Sequence, residues 1–150
     1  MLRIGEEFAK PYVFSLESIR RFAAESGDDN PLHHDLDKAR ASRFGGIIAS
    51  GTQMAAMLMG LVASGMTPDG EGVGLDFHFR FKKAVPAGTE AILSWRVVDR
   101  VPHAGLKGDF LTLEGRIADE AGTVYATCIA HSVIWPDRAG ASSVRADRVG

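Results

Sequence analysis

The chain predicts an α+β fold in which a curved antiparallel sheet wraps around one long buried helix. Two observations carry this. Ser50 to Ser64 is apolar on almost every side of a helix, through Met54, Ala55, Ala56, Met57, Leu58, Met59, Leu61 and Val62. A helix with no polar face must be enclosed. From Val73 onward the apolar period changes to two residues, and short connections between the runs favour antiparallel pairing. A sheet curled around the helix buries it on all but one side. A second copy of the chain, joined sheet edge to sheet edge, is the expected cover for that side.

The elements follow in order. A strand is expected near Glu7 to Phe14, interrupted by Pro11. Ser15 is placed as an N-cap with Glu17 in the first turn, and Leu16, Ile19, Phe22 and Ala23 form one apolar stripe ended by Gly27. Asp35 caps a second short helix through Lys38, Ala39 and Ser42, expected to stop at Gly45-Gly46. The apolar helix comes next. Val73, Leu75, Phe77, Phe79 and Phe81 then alternate with Gly74, Asp76, His78, Arg80 and Lys82, the pattern of a half-buried strand. Pro86-Ala87-Gly88 marks a turn. A second strand has Ala91, Leu93, Trp95 and Val97 on one face and Ile92, Ser94, Arg96 and Val98 on the other. Leu111, Leu113 and Ile117 indicate a third, and Val124 to Trp135 a fourth. Residues 1–136 read as one domain and 137–150, polar and aperiodic, as a loose tail.

Composition narrows the function classes. The chain has 150 residues, 45% hydrophobic and 24% charged, which is ordinary for a soluble domain with a real core. A net charge of -2 leaves no electrostatic footprint for nucleic acid or an anionic membrane. One cysteine, Cys128, excludes an internal disulfide and fits a reducing compartment. The first ten residues are mixed and carry two glutamates, unlike a signal peptide, and no apolar run is long enough to span a bilayer. A cytoplasmic protein is expected.

The chemistry concentrates in Ser26-Gly27-Asp28-Asp29-Asn30-Pro31-Leu32-His33. Five helical steps would put Asp28 and His33 roughly 140° apart, and Pro31 disfavours helical geometry at Asn30. The two meet only if the segment is a turn that folds back, and a turn rich in Gly, Asp and Asn does so. A carboxylate and an imidazole aimed at one point move protons at neutral pH. Taken singly, each has a plainer reading: Asp28 as a turn former, His33 as a surface residue, Asn30 as half of an ordinary turn pair. The pair His33-His34 does not suggest a metal site, since adjacent side chains diverge and no spaced ligand set completes a coordination sphere. Cys128, within an alternating strand, reads as a small core residue, and His78 and His131, also on strands, as structural or exposed residues.

The block Phe22-x3-Ser26-Gly27-Asp28-x-Asn30-Pro31-Leu32-His33-x-Asp35, followed by Phe44-Gly45-Gly46-Ile47-Ile48-Ala49-Ser50-Gly51, resembles the MaoC-like dehydratases and (R)-specific enoyl-CoA hydratases. The resemblance runs from about Val13 to Trp135 and implies the hot-dog fold. It also implies reversible hydration of a trans-2-enoyl-CoA to an (R)-3-hydroxyacyl-CoA, with no metal or redox cofactor. Carried over by position, it makes Asp28 and His33 the catalytic pair and Gly51 the helix-opening residue whose amide faces the thioester carbonyl. Asn30 and Ser50 fall at the substrate site, and Arg80 and Lys82 are the candidates for contact with the CoA phosphates. Many members have His-Gly where this chain has Ser50-Gly51, and some have a serine where it has Ala55 and Ala56. A homodimer or higher homo-oligomer is the expected assembly. The competing readings are a hot-dog thioesterase and a non-catalytic acyl-CoA-binding subunit; the Asp-x-Asn-Pro-x-His block favours the hydratase.

Overall fold

The computed structural model describes residues 2–136, so the expected tail at 137–150 lies outside the described residues. Five strands form one antiparallel sheet in the order β1-β3-β4-β5-β2: β1 Glu7–Phe14, β2 Gly70–Phe81, β3 Thr89–His103, β4 Gly108–Ala118 and β5 Val124–Pro136. Three helices precede β2: α1 Leu16–Glu25, α2 Leu36–Ala41 and α3 Gly51–Met66. Alternation along the strands sends Ala91, Leu93, Trp95, Val97, Leu111, Leu113, Ile117, Ala126, Cys128, Ala130 and Ile134 into the concave face, all buried. α3 lies across that face with Met54, Leu58, Val62 and Met66 on one i+4 row, all buried. Each such side chain contributes about 1.5–3 kcal/mol. The Trp95 indole donates to the Leu58 carbonyl at 2.7 Å, tying the sheet to the middle of the helix.

β1 forms despite Pro11 because it is an edge strand, paired only with β3, where the missing amide faces no neighbour. Ser15, Asp35 and Ser50 each cap the helix that follows, accepting from Ser18 N, Lys38 N and Gln53 N.

Three expectations change. α2 stops at Ala41 rather than at Gly45-Gly46, because Ser42 is extended and its hydroxyl donates back to the Ala39 carbonyl at 2.6 Å. α3 runs on to Met66 instead of ending at Ser64, while one side stays open in the single chain as expected, with Thr52, Met59, Gly60 and Ala63 exposed. In β2 the register against β5 shifts between Gly74 and Asp76, so Leu75 is an inserted residue. One extra residue reverses the facing of everything before it. Gly72 therefore pairs with buried Ile134, while Val73 and Leu75 are 49% and 44% exposed. Only Phe77, Phe79 and Phe81 keep the expected side.

Candidate active site

The acid is fixed by the way α1 ends. Gly27 takes φ +75°, its amide donates to Ala24 O, and the Asp28 amide donates to Ala23 O at 2.8 Å. This is a Schellman ending, so the Asp28 backbone belongs rigidly to α1. Asp28 Oδ1 then accepts the Asn30 amide at 3.1 Å, and Asn30 Oδ1 accepts the Leu32 amide at 3.1 Å. Those two bonds fold the chain into the short 3-10 turn Pro31–His33 and bring the histidine back toward the acid. Asn30 thus builds the turn.

His33 is 6% exposed, and its Nδ1–H donates to the Ile48 carbonyl at 2.7 Å. A carbonyl only accepts, so Nδ1 carries a proton and Nε2 is the nitrogen left to face Asp28. Nε2 stands 3.4 Å from Asp28 Oδ2, whose side chain is 30% exposed. That is longer than the roughly 2.7–2.9 Å of a direct charge-assisted bond. When His33 is neutral, two acceptors face each other across this gap. One water donating a hydrogen to each would satisfy both and would turn its lone pairs outward.

The same carbonyl ties the pair to α3. Ile48 N donates to Leu32 O, Ala49 N to Val85 O, and three residues later Gly51 opens the helix. Three residues reach at most about 10 Å. Ser50 is buried and its hydroxyl oxygen accepts the Gln53 amide. Among the described residues the Gly51 and Thr52 amides have no acceptor, so two N–H donors stand at the positive end of a sixteen-residue helix. Gly51 also permits close packing: a Cβ there would stand 3.3 Å from Phe81 Cζ. Arg80 and Lys82 lie exposed on and just beyond edge strand β2.

The structure therefore brings Asp28, His33 and Asn30 together and links them to Ser50 and Gly51. Arg80, on β2, and Lys82, just past its end, flank Phe81, and both are exposed. Sequence reasoning passed over three residues here. His34 Nε2–H donates to the Asp28 carbonyl at 2.6 Å, adding a second hold on the acid. Phe81, 54% exposed, lays its ring on Gly51. Gln53 is fully buried at the first turn of α3. A polar residue inside an otherwise apolar helix was the one available signal, and it pointed only to Gln53. A shallow depression of about 470 Å³ opens beside the acid, lined by Ala24, Gly27, Asp28, Asp29, Pro31 and His34 among others.

The chain superposes on an (R)-hydratase from A. caviae involved in PHA biosynthesis with a TM-score of 0.79, at 26% identity, over 89% of this chain and 98% of that one. A UPF0336 protein of Streptomyces avermitilis is 29% identical over 127 residues, 79% of this chain and 82% of its own. A mitochondrial 3-hydroxyacyl-[acyl-carrier-protein] dehydratase of Arabidopsis thaliana is 31% identical over 80 residues, about half of each protein at 53% and 48%. The family model described as MaoC like domain matches residues 3–109, which include the turn, the pair and the whole of α3. The chain belongs to the MaoC-like hydratase and dehydratase family and has its hot-dog fold.

Proposed function

We propose that the protein reversibly hydrates a trans-2-enoyl-CoA to the (R)-3-hydroxyacyl-CoA. The observation that carries this reading is the 3.4 Å gap between His33 Nε2 and Asp28 Oδ2, with Nδ1 already committed to Ile48. Water held there is oriented by two acceptors and loses a proton to the pair as its oxygen attacks Cβ. The π electrons move into the thioester carbonyl, and a proton returned from the pair reaches Cα. A positioned acid/base of this kind contributes on the order of 10²–10⁴-fold. The enolate oxygen forms next to the Gly51 amide, and loss of one such donor typically costs about 3 kcal/mol.

Asn30 and Ser50 support the substrate site through the turn and the helix cap they build. Arg80 and Lys82 meet the CoA phosphates from the edge strand. The reaction uses no metal or redox cofactor, since every proton transfer is assigned to side chains of this chain. We read the protein as a cytoplasmic homodimer or higher homo-oligomer that binds neither nucleic acid nor membrane. No helix among the described residues is long and apolar enough to cross a membrane.

The test incubates purified protein with short, medium and branched trans-2-enoyl-CoA substrates and follows the conjugated thioester absorbance together with free thiol. Loss of conjugation without thiol, giving the (R) product on chiral analysis, supports hydration. Thiol release points to a thioesterase instead, and no change with any substrate points to a binding subunit.

A further inference from the structure

The two halves of the catalytic pair sit on different bodies. Asp28 belongs to α1 through the Schellman ending, whereas His33 is fastened to Ile48 in the segment that becomes α3. Whatever fixes α1 against α3 therefore fixes the 3.4 Å gap. We propose that Gln53 is a positioning residue that performs this task, joining α1, β1 and α3 at one buried point. The proposal rests on the reading of Asp28 and His33 as the proton-handling pair.

Gln53 is 0% exposed. Its two Nε2 hydrogens go to the Tyr12 hydroxyl of β1 at 3.1 Å and the Ser18 hydroxyl of α1 at 3.2 Å. The Ser18 hydroxyl gives its own proton to the Ser15 carbonyl at 3.0 Å, so its oxygen is free to accept. That fixes the amide orientation, with nitrogen toward Ser18. The Gln53 backbone amide, in turn, donates to Ser50 Oγ beside Gly51. One residue thus holds the first turn of α1 and the first turn of α3. α1, ten residues and about 15 Å long, carries that constraint to Asp28 at its other end.

The orphaned atom argues that stability alone does not account for the residue. Among the described residues Gln53 Oε1 has no hydrogen-bond partner, although it is buried. An unmet buried acceptor destabilises, and a leucine of similar volume would remove it together with both donors at little net loss. A residue serving only the core would be apolar here, as Met54, Leu58 and Val62 are.

The test compares wild type with Gln53→Leu, Tyr12→Phe and Ser18→Ala. For Gln53→Leu the expected result is an unchanged or higher Tm, with kcat lowered about tenfold or more and KM within about twofold, since displacements near 1 Å cost up to 10²-fold. The His33 ring cross-peaks in a proton–carbon NMR spectrum should shift as the Asp28–His33 gap changes. Tyr12→Phe and Ser18→Ala should each lower kcat less, and add little on top of Gln53→Leu. Wild-type kcat and unmoved His33 resonances in Gln53→Leu overturn the proposal, as does a fall in Tm with kcat per folded molecule unchanged. If Gln53→Leu fails to fold, the two single-acceptor variants carry the same readings. If the wild-type protein hydrates no enoyl thioester, the functional reading fails, and the His33 resonances still decide the positioning.

Discussion

At the scale of single residues, His33 shows how local bonding fixes a tautomer. Its side chain is 7% exposed, one nitrogen is used up by the Ile48 carbonyl, and the other faces Asp28 Oδ2. The sequence made the pair legible, because Pro31 and the Gly-Asp-Asn composition leave a folded-back turn as the only way for the two to meet. It did not reveal His34, Phe81 or the partners of Gln53, since those contacts join residues through space without any local spacing rule. Cys128 is the converse case, a chemically capable group made inert by its surroundings. It is 2% exposed on the concave face, and burial pushes its thiol up to about 11. The charged form appears only as pH rises toward that value, so at pH 8 roughly one thiol in a thousand is thiolate. Native protein treated with iodoacetamide at pH 8 should remain unmodified by mass spectrometry while the unfolded protein reacts. Equal rates in the two states would contradict the burial of this side chain.

At the scale of elements, caps and periodicity were readable and interruptions were not. Ser15 and Asp35 stand where short polar side chains close a helix start, and β3 alternates as its sequence does. The bulge at Leu75 was hidden because Val73, Leu75 and Phe77 continue one alternating pattern across it. Packing favours it. Gly72 lies against Met66 at the end of α3, where a Cβ would stand 3.2 Å from Met66 Cβ, a tight fit that a valine side chain would worsen. Glycine has the same function in β4, where Trp95 leans on Gly115 and a Cβ would come within 2.7 Å of its ring. Trp95 has no room to retreat, being 1% exposed and bonded to Leu58 O. Gly115→Ala should therefore cost about 1–3 kcal/mol by overpacking. Chemical denaturation should show a lower midpoint with an unchanged slope, and a midpoint equal to wild type would contradict this packing.

At the scale of the whole molecule, the hot-dog arrangement was legible because few architectures enclose an apolar helix with antiparallel strands. The open side of α3 and the edge strand β2 mark where the enclosure stops. Met59, Leu75 and Phe81 are 37%, 44% and 54% exposed there. A second copy joined at β2 would cover them and extend the sheet. Analytical ultracentrifugation should find twice the chain mass, and Leu75→Asp should shift the population toward monomer. A wild-type protein that stays monomeric at tens of micromolar would contradict this assembly. The central claim is that Asp28 on α1 and His33 on the segment entering α3 act together on one water. The measurement that tests it most directly is the rate of enoyl-CoA hydration by Asp28→Asn and His33→Ala, each shown folded by circular dichroism. The account predicts that both lose at least about 10²-fold in kcat relative to wild type. Wild-type turnover by either folded variant would contradict it.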